Sequence, residues 1–351
     1  MTLPTDDGDA NQVLKTDGSG ALSWTTPSSG GASAINDLSD AMIEDNSIYV
    51  GNDPSGTTDD ALYNVAVGTT ALDAITEGDY NTAVGNNALT ANTTGSNNTA
   101  SGYGALLSNT TGDANTASGY GALYSNTTGT RNIAIGRGAN DMADTEDDNL
   151  AIGYDALGGS INGGEFNVAI GNNSMDANTS GDKNTAVGYS SLTSNTEGND
   201  NTAYGFGSLY TNTTGDYNAA FGFQSMLFNT TGTANTASGF SALRANTAAL
   251  YSTGIGANAL ADANRTADTD GYNTALGYNA GNTGTNDVTT GNKNTLLGAS
   301  TAASAAAGTN QTVIGYGASG KGDNTVTIGN GDITAWSAAD DGEVDLGSSS
   351  V

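Results

Sequence analysis

The chain has 351 residues, 37 of them acidic and 8 basic, for a net charge of −29, and it contains neither histidine nor cysteine. That charge repels nucleic-acid phosphates and anionic lipid. The missing residue types exclude disulfides, thiolate metal sites and the commonest general base.

The first residues, Met1-Thr2-Leu3-Pro4-Thr5-Asp6-Asp7, carry neither a basic start nor an apolar run, so no secretory signal peptide is expected. No stretch of about 18 apolar residues occurs, so no membrane-spanning helix is expected. Residues 1–46 read as an N-terminal attachment module and a Gly/Ser linker that includes Ser28-Ser29-Gly30-Gly31.

From Ser47 onward the sequence repeats. Asn-Thr-Ala-Val-Gly or a near variant begins at Ser47, Asn64, Asn81, Asn98, Asn115, Asn132, Asn149, Asn167, Asn184, Asn201, Asn218, Asn235, Ser252, Asn273, Asn294, Gln311 and Thr325, mostly in steps of 17 residues. The fifth position is Gly at every mark, including Gly68, Gly85, Gly102, Gly119, Gly136, Gly153, Gly171 and Gly188. A disordered low-complexity chain, the first alternative for a sequence with 51 Gly, has no need of so strict a register. A fixed period of this length signals a stacked repeat array.

Within each repeat, positions 2 and 4 are mostly β-branched or apolar and position 3 is Ala in twelve repeats. This alternation predicts a strand over positions 1 to 5 with Ala on one side and Val, Ile or Thr on the other. The invariant Gly ends that strand, where a turn demands positive φ or close backbone approach. Positions 8 and 9, as in Ala71-Leu72 and Ser174-Met175, are expected to form a second short strand over the Ala side. Asn-Thr-Thr-Gly, as in Asn92-Thr93-Thr94-Gly95, supplies a second turn. The fold class is therefore all-β: a β-solenoid or parallel β-roll of about 17 coils over residues 47–330, followed by a C-terminal tail at 331–351. At ~4.8 Å per coil the rod would be on the order of 80 Å long.

The position-4 column, with Val67, Val84, Ile135, Ile152, Ile170, Val187, Leu276, Leu297, Ile314 and Ile328, faces away from the coil. A stripe of this kind is avoided on monomers, so these residues are assigned to packing about a shared axis in a cyclic homo-oligomer. Position 6 carries a candidate aromatic contact ladder: Tyr103, Tyr120, Tyr154, Tyr189, Phe206, Phe223, Phe240, Tyr278 and Tyr316. Such rings could bind sugars, but packing at a turn or subunit seam is the favoured role. The ranked Thr residues could order water against ice, although turn chemistry and cross-coil hydrogen bonding are favoured for them. The acidic runs at Asp141–Asp148 and at Asp262, Asp268 and Asp270 are the only candidate Ca²⁺ positions. They match no known Ca²⁺ loop, so solvated acidic loops are the expectation and no cofactor is assigned. No nucleophile–base pair or phosphate loop is evident, and the chain does not read as an enzyme.

Asn132-Ile133-Ala134-Ile135-Gly136 and Asn167-Val168-Ala169-Ile170-Gly171 resemble the left-handed parallel β-roll repeats of trimeric adhesin heads. The longer coil with Asn-Thr-Thr-Gly is more similar to repeats of phage tail fibres. Gly8 to Trp24 resembles a module common near the start of such fibres, and Asn324 to Asp332 with Val344 to Ser350 resembles the stretch before a C-terminal self-cleaving chaperone domain. The resemblance implies a homotrimeric fibre, attached to a virion or a neighbouring fibre protein by its N-terminal segment and presenting a surface to host glycan or protein. A bacterial surface adhesin or an extracellular filament joined head to tail is the alternative, and an ice-binding solenoid stands further behind. Either location, virion or cell exterior, is expected without nucleic-acid binding or membrane insertion.

Overall fold

The computed structural model describes residues 13–16, 22–25, 41–44, 46–51, 60–159, 163–264 and 270–334. The linker at Ser28–Gly31, Asp268, and the tail segment Val344–Ser350 lie outside them. Near the start, β1 (Val13–Thr16) and β2 (Leu22–Thr25) pair antiparallel, which places a hairpin inside the segment read as an attachment module.

A single sheet then runs in chain order from β3 (Ala41–Glu44) and β4 (Ser47–Val50) to β20 (Val326–Ile328). β3 pairs antiparallel with β4, and every later pairing is parallel between consecutive strands. Equivalent residues face each other throughout: Ala134 opposes Ala151, and Ile135 opposes Ile152. This is a β-solenoid, one strand per coil.

The strands are short because Gly at position 5 stops each of them. Gly68 has φ 140, outside what a side chain tolerates, and a Cβ there would lie 2.6 Å from the Gly85 carbonyl oxygen of the next coil. Both reasons for an invariant glycine thus act at once. The glycine of Asn-Thr-Thr-Gly is needed for space alone. Gly95 has an ordinary φ, but a Cβ would meet Gly112 O at 2.5 Å.

One expectation is corrected. Positions 8 and 9 do not form a second strand but a run of turns, in which Leu72, Leu89, Leu106 and Leu123 sit at φ 51–53. A residue in the left-handed region cannot continue an extended strand. Each nevertheless projects into the coil and is fully buried opposite the strand alanines, as are Met175, Leu192, Leu209 and Met226. The turns stack as the strands do, with Leu89 N–H donating to Ala105 O and Thr93 N–H to Thr110 O. Backbone bonding between coils therefore continues round the circumference.

The core has a polar component that the sequence reading used only as a register mark. Asn at position 1 is fully buried in coil after coil. Its amide donates across the coil, Asn81 Nδ2 to Gly95 O at 2.9 Å, while its oxygen accepts from the next coil, Asn98 N–H to Asn81 Oδ1 at 3.0 Å. A second ladder uses the Asn of Asn-Thr-Thr-Gly: Asn109 Nδ2 donates to Asn92 Oδ1 and to Gly112 O. Every rung satisfies buried amide groups that would otherwise be costly. The ladder ends where Ala143 and Ala263 replace Asn, and there Asn126 Oδ1 and Asn246 Oδ1 are left without a partner.

Toward the C-terminus the core inverts. Leu296 and Val313 occupy the strand position held by Ala in twelve other coils, and Gly281 stands where Leu would be. A Cβ on Gly281 would lie 2.9 Å from Leu296 Cδ1, so volume lost from the turn is regained from the strand.

Candidate functional site

Because successive strand residues point to opposite sides, burying Ala at position 3 turns positions 2 and 4 outward. β9 (Ile133–Ile135) shows the pattern, with Ala134 fully buried and Ile135 41% exposed. Val67, Val84, Leu276, Leu297 and Ile328 are exposed, and Ile152, Ile170, Val187 and Ile314 are half-buried. The ten residues assigned to an axis therefore share one face along the rod. Ser101, Ser118 and Ser238 interrupt it. Tyr204 and Phe221 add a stacked pair within the same column, with ring centroids 5.6 Å apart.

The face has two edges. The trailing edge, just after the invariant Gly, holds the aromatic ladder, which proves to be discontinuous. Tyr103 stacks on Tyr120 at 5.1 Å, and Tyr189, Phe206, Phe223 and Phe240 form one run with spacings of 5.2–5.4 Å. Within a run each ring covers its neighbour's face. Sugar stacking on ring faces is thereby confined to the ends of each run. Arg137 sits between Tyr120 and Tyr154, 5.8 and 5.6 Å from their ring centres. Tyr278 and Tyr316 stack on no other ring among the described residues.

The leading edge, just before each register mark, carries a second aromatic column that sequence reasoning missed. Tyr63 stacks on Tyr80 at 5.0 Å and Tyr251 on Tyr272 at 5.2 Å, with Phe166 and Tyr217 in the same column. These residues sit at φ 44–60, a left-handed corner that throws the side chain outward. The signal was legible as the residue preceding each mark, but it mixes Tyr with Asn, Asp, Lys and Ala and so shows no single residue type.

Two grooves behind the trailing edge are lined by its rings. One of about 400 Å³ is lined by Tyr189, Phe206, Tyr210, Gln224, Leu227 and Phe228. A smaller one of about 200 Å³ is lined by Tyr120, Tyr124, Arg137, Asp141, Tyr154 and Asp155. Burial, reinforced by the charge of Asp155, pushes the Asp141 carboxyl up to about 6. Asp176 is raised for the same two reasons, and a hydrogen bond with Asp155 raises the Tyr154 phenol.

The acidic run at Asp141–Asp148 is not a protruding loop. It follows the coil circumference, so its members point to different places. Asp148 hydrogen-bonds Arg131 at 2.6 Å, which lowers its pKa, and Asp147 pairs with the same guanidinium at 3.3 Å. Asp144 accepts from Thr127. Other acids stitch coils together: Asp113 accepts from Ser96 N–H and Asp216 from Asn199 N–H, both at 2.7 Å. Among the described residues no three acidic side chains converge in a group that could hold a metal ion, and no helix is long and apolar enough to cross a membrane. In the Thr rows the first hydroxyl donates to the next coil, as Thr93 Oγ1 does to Thr110 O at 3.1 Å.

No protein-family model matches the chain, and no curated protein matches it.

Proposed function

We propose that the protein is a structural fibre subunit, a homotrimer that spans distance and presents contacts along its length, and that it serves as a phage tail-fibre shaft. The observation that carries this reading is the outward Val/Ile/Leu stripe, which follows one face from Val65 to Ile328. Monomers avoid apolar stripes of this extent, and a stripe along one face of a repetitive rod is most simply covered by parallel copies about one axis. Three copies on an axis would also convert weak surface contacts into avidity. The stacked core, built from packing and asparagine ladders, suits a load-bearing rod better than a catalyst. The phage assignment rests on the resemblance of the two terminal segments, and the virion is the proposed location.

A bacterial surface filament joined end to end is the second reading. The outer side of β20 pairs with no strand among the described residues, which favours it. At the other end the antiparallel β3 covers β4, so the coil edge there is not open to direct continuation of the parallel stack. The capped end is why the discrete fibre is preferred.

The mass of the native assembly in solution tests the central claim. A three-chain mass is expected, and a stable monomer would remove the reading. Electron microscopy then separates the alternatives: fibres of fixed length on virions support the first, open polymers the second.

A further inference from the structure

The two edges of the strand face are not independent columns. A level is one strand with the residue before its register mark and the residue after its invariant Gly. At the level of β5 (Val65–Val67) the leading edge carries Tyr63 and the trailing edge Thr69. One level on, Tyr80 is matched with Asn86. The bulk then changes sides, with Asn97 and Ala114 leading and Tyr103 and Tyr120 trailing. It changes again further along: Ala234 with Phe240, then Tyr251 with Ala257. From Asn64 to Thr325, eleven of sixteen levels carry a ring at one edge only, two carry rings at both, and three at neither.

One chain cannot join its own two edges, because they lie at opposite ends of the same strand. We propose that the trailing edge of one copy packs against the leading edge of a second copy at the same level. Each ring meets an edge without a ring, and the residue opposite is small at most of these levels, as at Thr69, Asn86, Asn97, Ala114, Ala234 and Ala257; the face-covering interface is closed at its seams. This rests on the oligomeric reading above and deepens it.

The match specifies geometry. Two different columns meet at equal levels, which a rotation about an axis along the rod provides; with the three copies proposed above the contact is heterologous and closes as a ring. The match holds at equal levels, so the copies run parallel and in register. In an antiparallel pair with the same two edges meeting, Tyr80 would face Tyr316, and nine of the sixteen levels instead of eleven would carry a ring at one edge only, so parallel copies give the better match. The rings involved are about half exposed in the single chain, Tyr80 57% and Tyr103 47%, and have apolar area to lose. At the two doubly aromatic levels, Tyr217 with Phe223 and Tyr272 with Tyr278, the seam would hold ring against ring, a favourable contact in its own right.

The chain contains no cysteine, so engineered thiols report the seam directly. Asn97→Cys with Tyr103→Cys places one thiol on each edge of one level, and Tyr251→Cys with Ala257→Cys repeats the test elsewhere should the first variant fold poorly. After mild oxidation or treatment with a short thiol cross-linker, each pair should shift the chain on a denaturing gel from one-chain to three-chain mass, while the single variants stay at one-chain mass. The displaced pair Tyr80→Cys with Tyr120→Cys should cross-link far less. A double variant that stops at two-chain mass would indicate a two-fold pair and overturn the ring, and covalent dimers from a single variant or equal cross-linking of the displaced pair would overturn the edge match. A trimeric native mass without same-level cross-links would remove the edge match yet leave the trimer standing. A monomeric native mass would remove both.

Discussion

At the scale of single residues the fold depends on two kinds of position, those where no side chain fits and those where a buried amide must be paired. Gly68→Ala would force a Cβ toward the Gly85 carbonyl at a φ closed to alanine. A loss of about 3 kcal/mol or more is expected, seen as a lower midpoint in urea unfolding. The asparagine ladder makes a comparative prediction. Asn212 donates to Asn195 Oδ1 and Gly215 O and accepts from Asn229 Nδ2, whereas Asn246 donates to Asn229 Oδ1 and, at 3.4 Å, to Ala249 O, and its own oxygen has no partner. Asn212→Ala should therefore cost about 1 kcal/mol more than Asn246→Ala, measured by the same unfolding experiment. At Asp141 the folded chain holds its proton more tightly than the unfolded chain does, because the carboxyl is raised to about 6 by burial and by Asp155. That residue's contribution is lost as pH rises from the ordinary carboxylate range to about 6. With Asp155, Asp176 and Arg137 left in place, Asp141→Asn should stabilise the protein at pH 7 by about 1 kcal/mol, once solvent screening is allowed for, and have no effect below the ordinary carboxylate range.

The coil is the unit at the next scale, and the expectation of two strands per coil failed there for a definite reason. Small-then-Leu at positions 8 and 9 has the pattern of a buried edge, and pattern alone does not separate a strand from a turn whose side chain points inward. Leucine in the left-handed region is unfavourable locally. It is held there because the narrow interior needs its volume and because neighbouring coils bond its backbone. Asn140 tests this balance. It replaces Leu in the column between Leu123 and Leu157, is fully buried, and has neither amide atom partnered. Asn is the better left-handed residue, yet Asn140→Leu should raise stability by about 2 kcal/mol, because removing two unpaired buried polar atoms outweighs the backbone preference. A rise in thermal unfolding temperature would show it. The exchange of bulk between Gly281 and Leu296 is the same constraint met in another way.

For the whole molecule the outward face is the surface that the proposed assembly would cover. Stability in a stacked array accumulates from neighbouring coils, so a change on the outer face should leave the coil intact. Ile135→Asp introduces a charge at an exposed site of the single chain but in the middle of the proposed interface. It should lower the native mass toward one chain while the far-ultraviolet circular dichroism spectrum is preserved. An unchanged mass would place the shared axis elsewhere.

The sequence by itself determined the period, the strand position, the buried alanine side and the outward stripe, because strand alternation and a 17-residue repeat are local rules written in every coil. It also located the invariant glycines, one residue type at one phase, and the trailing aromatic column, where Tyr or Phe recurs at nine marks. Only the tertiary structure decided that Leu lies in a left-handed turn, that Asn forms two internal ladders, that the acidic run wraps round a coil, and that a second aromatic column borders the face. Those features depend on what lies one coil above or below, and on the corner each residue occupies. The spacing of residues along the chain does not encode the space between coils, and it is there that the amides find partners and the rings find neighbours.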